Sequence, residues 1–260
     1  MLPRNIIPAV NFLIPVRHPY GCSNYQTTWS LLIDTLSSIL RQDCPHWTVG
    51  ICANKILPIP SQLNDKRFYF IESTRRYNGK TLYKYDQHRH QQHLADKAYK
   101  RLELIKHICN YKPIWYYMMD GDDLLAPYLV SSLLYNEKPD TEAIIVQGGI
   151  IYNKSSEAQY DVGDINQYCG STVAIKASTI HSMLDNPPLY TKVLSKHRLA
   201  DLNMLNKIVC LNDKRYVAYV QHGDNHGTHW GYKNSLKLVS KSDFFANFPS
   251  IFSRGVDFAA

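Results

Sequence analysis

The chain has 260 residues, and its 29 Lys and Arg against 22 Asp and Glu give a formal net charge of +7. Apolar residues make up 45% and charged residues 20%, so the chain can bury a core, which excludes a disordered protein. No apolar run approaches the roughly 18 residues that a membrane-spanning helix requires, which excludes a transmembrane protein.

Strands and helices are predicted to alternate in the first half of the chain. The apolar run at residues 10–16 predicts a buried strand, and apolar residues at three- and four-residue steps predict a helix that Ser23 or Asn24 caps. Further strands are predicted at residues 47–53, 68–71 and 114–119, and a second helix at residues 88–110. Alternation of this kind predicts an α/β fold with a mostly parallel sheet covered by helices on both faces.

The second half of the chain has a less regular pattern. Helices are predicted at residues 127–135 and 199–210, and strands at residues 143–152, 172–175 and 216–221. The tail from residue 232 mixes Lys with Leu, Val and Phe, which predicts an amphipathic helix that packs on the core or rests on a membrane surface. We predict one domain over residues 1–230 and a C-terminal helical extension over residues 231–260.

The positive charge is concentrated in residues 66–112. This segment holds 12 Lys and Arg and 4 Asp and Glu, a balance of 12 − 4 = +8, whereas the rest of the chain has 17 − 18 = −1. Tyr and His residues are interleaved with the basic ones. Such a segment suits nucleic acid, an acidic membrane surface or the phosphates of a small substrate, and composition does not choose among them.

Three carboxylates lie within four residues at Asp120, Asp122 and Asp123, directly after a predicted strand. In open α/β sheets, ligands bind beyond the carboxyl ends of strands. Neighbouring carboxylates repel one another unless a cation or several donors balance them, and Mg²⁺ and Mn²⁺ prefer oxygen ligands shared with substrate phosphates. An acidic turn that caps the next helix is the alternative, but a cap needs only one Asp, so we favour a metal and phosphate site.

Histidines follow the last predicted strand at His222, His226 and His229. Their spacing is compatible with zinc, but the sequence places no fourth ligand. We favour one histidine that completes the shell of the carboxylate-bound ion or contacts a phosphate, with a polar surface turn as the alternative. Asp201, in the predicted helix at residues 199–210, is by itself an ordinary first-turn acid.

Together these segments resemble the GT-A glycosyltransferases of the family 2 type, nucleotide-sugar-dependent enzymes with a Rossmann-like fold. The resemblance runs in order from about residue 10 to residue 226. FLIPV at 12–16 resembles the family's first strand, SILRQ at 38–42 its S-I/L-x-x-Q helix, MDGDD at 119–123 its D-x-D-D metal motif, ADLNML at 200–205 its E-D-x-x-L segment, and YVQHGDN at 219–225 its Y-x-x-H-x-x-N/S piece.

The resemblance implies a nucleotide-binding set near the first two strands and the acidic motif. Its members are Pro15, Val16, Arg17, Asn54, Asp96, Lys97, Asp120 and Gly121. Asn54 stands where relatives carry an acid that holds uracil or ribose, so the base is left open, although a UDP-sugar is the expected donor. Lys97 and Arg101 are implied to neutralise phosphate charge.

The resemblance also implies the chemistry. Asp120, Asp122 and His222 would hold Mn²⁺ or Mg²⁺, and Asp201 would be the general base of an inverting transfer from the nucleotide sugar to a hydroxyl. The acceptor would be a glycan or a lipid-linked molecule in surface polysaccharide biosynthesis. No Q-x-x-R-W follows Asp201, which argues against a processive synthase.

The location and the partners are further expectations. The first 16 residues do not predict a signal peptide, so we expect a cytoplasmic enzyme, with peripheral contact at the inner face of the membrane left open. The resemblance implies no specific nucleic acid. A nucleic-acid-binding protein that uses residues 66–112 stays an alternative, and so does a sugar nucleotidyltransferase, although no triphosphate loop is evident near Arg17. A zinc hydrolase built on the histidines is a third alternative, but this sequence offers no ordered set of zinc ligands for it.

Overall fold

The computed structural model describes residues 8–75, 87–108, 113–196, 198–223 and 237–248. The helices are α1 Tyr25–Leu40, α2 Gln87–Ile108, α3 Leu129–Tyr135, α4 Ala177–Met183, α5 Pro187–Ser195 and α6 Lys241–Asn247. The strands are β1 Val10–Pro15, β2 Trp47–Ala53, β3 Phe68–Glu72, β4 Trp115–Met118, β5 Leu124–Leu125, β6 Ala143–Val146, β7 Gly149–Asn153, β8 Ala158–Val162, β9 Val173–Lys176, β10 Ile208–Leu211, β11 Val217–Gln221 and β12 Lys237–Leu238.

Within these residues, the main sheet has seven strands in the order β10-β6-β9-β4-β1-β2-β3. Its pairings are parallel except those of β9, which is antiparallel to both β4 and β6. All seven residues of β2 are buried, as expected of a strand covered on both faces. The predicted mostly parallel sheet is therefore confirmed.

Helices cover both faces of this sheet. α1 begins after Asn24, whose side-chain oxygen caps the helix by accepting a hydrogen bond from the backbone N–H of Gln26 at 2.9 Å. The buried Leu32 and Leu36 of α1 pack against one face. Ala98 of α2 belongs to the cluster on the opposite face. The periodic positions that predicted both helices are thus the positions that they bury.

The predicted strand at residues 143–152 is wrong, because this segment forms two strands in different sheets. β6 belongs to the main sheet, whereas β7 belongs to a second sheet in the order β12-β8-β7-β11-β5. The chain passes from one sheet to the other at Gly148, where an added Cβ would lie 1.9 Å from the carbonyl oxygen of Lys214. Only glycine permits this close approach of two backbones.

The predicted helix at residues 199–210 is also wrong. Leu199–Leu202 form a 3-10 turn, and Ile208–Leu211 form β10, which pairs in parallel with β6 at the edge of the main sheet. Leu202 and Leu205 are buried, and their three-residue spacing fits the period of a 3-10 turn as well as an α-helix. The apolar pattern alone did not distinguish these two structures.

The described part of the C-terminal tail packs on the second sheet. β12 pairs with β8, and the buried Phe244 and Phe248 of the α6 region pack in a cluster with Tyr152 and Val220. Residues 232–236 and 249–260 of the predicted tail lie outside the described residues. None of the described helices has the length and the apolar character that crossing a bilayer requires.

Asp34, half-buried on α1, gives a prediction about stability and pH. Burial raises its pKa from 3.8 to about 6, although Lys154 acts in the opposite direction. Between these pH values the folded chain holds a proton that the unfolded chain releases, so stability falls as the pH rises from about 4 to about 6. We expect Asp34→Asn to raise the free energy of unfolding at pH 7 by about 1–2 kcal/mol and to flatten this part of the pH profile.

Denaturant unfolding between pH 4 and pH 7 measures this effect. Asp185→Asn, at an exposed carboxylate beyond α4, is the matched control and should leave the profile as it is. An Asp34→Asn profile that keeps the wild-type slope would contradict the prediction.

Candidate functional site

The site lies at the carboxyl end of β4, where Asp120 meets two cations. The Nζ atom of Lys97 lies 2.5 Å from Oδ1 and 2.7 Å from Oδ2 of Asp120. The Nη2 atom of Arg101 lies 3.3 Å from Oδ1 of the same carboxylate. Burial lowers the pKa of Lys97, and the nearby Asp120 acts in the opposite direction. The first carboxylate of the motif is thus balanced by side chains of α2.

Arg101 is the second cation beside Asp120, and its guanidinium is buried. Its side chain is 1% exposed, and it donates hydrogen bonds to the carbonyl oxygens of Leu194 at 2.7 Å and Met119 at 3.3 Å. Burial lowers its pKa to about 10. Because this value is still well above 7, the guanidinium is charged at neutral pH. Arg101 therefore joins the end of α5 to the end of β4.

Asp122 and His222 face each other across the two sheets. The Nε2 atom of His222 lies 3.0 Å from Oδ2 of Asp122, and both side chains are less than a quarter exposed, at 8% and 22%. Asp122 follows β4 of the main sheet, and His222 follows β11 of the second sheet. The structure therefore brings together two of the three predicted metal ligands, while the third, Asp120, faces Lys97 and Arg101.

The donor set fits a divalent ion that takes further ligands from a substrate. A carboxylate oxygen and an imidazole nitrogen suit Mn²⁺, and Mg²⁺ and Mn²⁺ commonly add phosphate oxygens to one or two carboxylates. Among the described residues, no three side chains of the His, Cys, Asp or Glu type form a metal-binding group by themselves. His226 and His229, considered above as zinc ligands, lie outside the described residues.

Asp123 is a structural residue, which the sequence did not reveal. Its buried carboxylate accepts hydrogen bonds from the Ser171 hydroxyl at 2.6 Å, the Cys169 thiol at 3.1 Å and the backbone N–H of Val220 at 3.3 Å. Burial, followed by the charges of Asp122 and Asp120, raises its pKa well above the usual range. Asp123 ties β11 and the residue 169–171 loop to the acidic motif.

The S-I/L-x-x-Q helix end holds the chain that follows the acidic motif. Ser38 accepts a hydrogen bond from the backbone N–H of Leu125 at 3.1 Å. Gln42 donates to the carbonyl oxygen of Ala126 at 2.8 Å and accepts from the N–H of Val130 at 2.9 Å. All of these groups are buried. Ser38, near the end of α1, and Gln42, just beyond it, therefore fix the position of β5 and of the chain that follows it.

The predicted nucleotide-binding residues at the first strand lie at the same edge of the main sheet. Pro15 ends β1, the buried Val16 follows it, and Arg17 is half-buried. The carbonyl oxygen of Val16 accepts a hydrogen bond at 2.8 Å from Lys100, which also lies 2.7 Å from Asp96. Asp96 thus holds the buried Lys100 in place, and Lys100 in turn fixes the end of β1.

Asn54 follows β2 at this edge. Its Nδ2 group donates to the carbonyl oxygens of Ser73 at 3.2 Å and Arg75 at 3.0 Å, which fixes the orientation of the amide. Its Oδ1 atom is buried and accepts no hydrogen bond from the residues that the structure describes. A buried acceptor without a donor is costly, so this atom is a place where a ligand N–H would be stabilising.

Asp201, the predicted base, lies in the 3-10 turn after α5. Its side chain is half-buried, and its backbone N–H bonds to the carbonyl oxygen of Arg198 at 2.9 Å. The carbonyl oxygen of Leu194, near the end of α5, accepts a hydrogen bond from Arg101, which also pairs with Asp120. Gly121 is half-buried between Asp120 and Asp122.

Five of the basic residues in the segment at residues 66–112 bond to other groups within the described part of the protein. Arg67 stacks on Trp47 at 3.6 Å and pairs with Asp65 at 2.7 Å, and Arg75 donates to the carbonyl oxygen of Ala95. Lys97, Lys100 and Arg101 bond to Asp96, Val16, Asp120, Met119 and Leu194, as described above. These contacts leave little of the described charge free for a nucleic acid.

Solved structures have a similar fold. S. aureus TarS 1-349 in complex with UDP-GlcNAc has a TM-score of 0.52 and 12% identity over 91% of this chain and 63% of that chain. The same protein in complex with UDP has a TM-score of 0.50 and 12% identity over 82% and 60%. The chain spans less than two thirds of TarS 1-349. This likeness shows a Rossmann-like fold of the glycosyltransferase type.

The sequence comparisons identify no family. No family model matches the chain, and the search of curated proteins by sequence found no match.

Proposed function

We propose that this protein is a glycosyltransferase that moves a sugar from a nucleoside-diphosphate sugar to a hydroxyl group. The observation that carries the proposal is the meeting of Asp122 and His222 beside the Asp120–Lys97 pair, at the carboxyl edge of a Rossmann-like sheet. Nucleotides bind at this edge in open α/β folds. The fold neighbour binds UDP and UDP-GlcNAc, which supports a UDP-sugar as the donor.

Asn54 supports uracil as the base. Its Oδ1 atom is an acceptor held in place by two hydrogen bonds on the other side of the amide. A uracil ring offers an N–H donor, which would satisfy this buried acceptor. Pro15, Val16 and Arg17, at the end of the neighbouring β1, would bound the same pocket.

Mn²⁺ or Mg²⁺ would be held by Asp122 and His222, with diphosphate oxygens and Asp120 completing the shell. When bound, such an ion stabilises the negative charge of a departing diphosphate. Gly121 would let the backbone approach the diphosphate between the two carboxylates. Asp96 would act by fixing β1 through Lys100.

Asp201 would take the proton of the acceptor hydroxyl, and a single displacement would invert the configuration of the sugar. A half-buried carboxylate in the turn that follows α5 suits this role. The acceptor would be a glycan or a lipid-linked molecule in surface polysaccharide biosynthesis. The enzyme would act in the cytoplasm, and peripheral contact with the membrane would bring a lipid-linked acceptor to it.

A panel of nucleotide sugars with Mn²⁺ tests the proposed function. Each is incubated with the pure protein, and release of the nucleoside diphosphate is measured with and without hydroxyl acceptors. We expect a UDP-sugar to bind and to be hydrolysed slowly without an acceptor. A protein that binds no nucleotide sugar, and binds single-stranded nucleic acid in a salt-sensitive manner instead, would overturn the proposal.

Asp122→Ala tests the metal. We expect it to lower the affinity for UDP in Mn²⁺ at least about tenfold, since one ligand of the ion is lost. EDTA should bring the wild-type protein to the same affinity, as calorimetry would show. Asp185→Ala, at an exposed carboxylate, is the control. UDP binding that ignores both EDTA and Asp122→Ala would remove the metal from the proposal.

A further inference from the structure

The pairing of Lys97 with Asp120 gives the site an unusual charge balance. Both oxygens of Asp120 lie within 2.7 Å of the Lys97 amine, the distance expected of a charge-assisted hydrogen bond. A divalent ion bound by Asp120 would need the same oxygens. The amine and the ion therefore compete for one carboxylate.

The two cations beside Asp120 differ in how firmly they are held. Arg101 is 1% exposed and is anchored to two backbone carbonyls in addition to Asp120. Lys97 is 21% exposed, and both hydrogen-bonding contacts described for its amine are to Asp120. Arg101 is thus a fixed counter-ion, whereas Lys97 has the freedom to leave the carboxylate.

The surroundings restrict the direction in which Lys97 can move. Gly170 lies against the pair, since an added Cβ there would be 2.0 Å from Oδ2 of Asp120 and 2.8 Å from the Lys97 amine. The residue 169–171 loop is itself fixed through Asp123. The amine can therefore move toward the exposed side of the pair, where a diphosphate at the carboxyl edge of β4 would lie.

We infer that Lys97 is a transferable counter-ion, which pairs with Asp120 in the free protein and with the donor diphosphate when the donor binds. This inference rests on the proposed function. The transfer of the amine frees Asp120 for the divalent ion, so donor and ion each favour the binding of the other. Such coupling is reciprocal by thermodynamic necessity.

Binding of Mn²⁺, measured by electron paramagnetic resonance with and without UDP, tests the inference. In Lys97→Met, Mn²⁺ alone should bind about tenfold more tightly than in the wild type, because Asp120 has lost its competing cation. UDP should raise the Mn²⁺ affinity of the wild type at least about tenfold, and the variant should lose most of this gain. Lys106→Met, at an exposed position on the same helix, is the matched control.

The outcomes are separable. A Lys97→Met protein that binds Mn²⁺ alone no more tightly than the wild type would overturn the inference, whatever UDP does. Wild-type protein that binds Mn²⁺ but never UDP would refute the proposed function and the donor half of the inference. The Mn²⁺ measurement would still decide whether Lys97 competes with the ion. Thermal unfolding of each variant confirms that the protein is folded.

Discussion

Asp201→Asn is expected to abolish sugar transfer while it leaves nucleotide binding near normal. The amide keeps the size of the carboxylate but cannot accept the proton of an acceptor hydroxyl, and a general base typically contributes about 10²–10⁴-fold to the rate. The residue lies in a turn after α5 and is not among the residues that would hold the ion or the nucleotide, so UDP affinity should change little. Transfer assays and calorimetry with UDP measure the two effects separately.

Two comparisons make this result interpretable. Asp185→Asn, at an exposed carboxylate beyond α4, should keep full activity. Slow hydrolysis of the donor by water should fall less than transfer to a hydroxyl acceptor, because the two reactions need not share one base. Full transfer activity in Asp201→Asn would remove Asp201 from the mechanism.

Gly170→Ala is expected to damage the site more than the fold. Its Cβ would lie 2.0 Å from Oδ2 of Asp120, so the carboxylate must turn away from Lys97 and Arg101. Overpacking of this kind costs about 1–3 kcal/mol of stability. Displacement of a catalytic group by about 1 Å can cost about 10²-fold in rate, so we expect a loss of transfer of that order.

Gly163→Ala is the matched control for this substitution. Nothing lies within 4 Å of a Cβ at position 163, so the same change should be tolerated there. Denaturant unfolding and transfer assays on both variants compare the two positions. Equal activity in the two variants would show that the packing of Gly170 on the Asp120 pair does not matter to the reaction.

The elements with one dominant pattern were predictable from the sequence. The mostly apolar β2 and the amphipathic α1, with Asn24 as its cap, occur at the predicted places. The secondary structure was predicted wrongly in segments where tertiary contacts decide which element forms. Gly148 divides residues 143–152 between two sheets, and pairing with β6 makes residues 208–211 a strand.

The residue types of the site were predictable from the sequence, but the contacts that each side chain makes were not. The three carboxylates after β4 indicated a charged site, yet only the structure separates their contacts: Asp120 meets Lys97, Asp122 meets His222, and Asp123 is buried on Ser171. Distances between side chains that are far apart in the chain have no signature in one sequence. Arg101 shows the same limit, because its burial depends on α5, which the apolar pattern did not predict.

The contacts that build the site join parts of the chain that are far apart in sequence. Asp122 and His222 are 100 residues apart, Asp123 and Val220 are 97 apart, and Gln42 and Ala126 are 84 apart. Contacts of such separation require large loops to close, and they slow the folding of a domain. During synthesis, the Asp122–His222 pair cannot form until β11 has left the ribosome. Nucleotide or metal binding at this pair would therefore report that nearly the whole chain has folded.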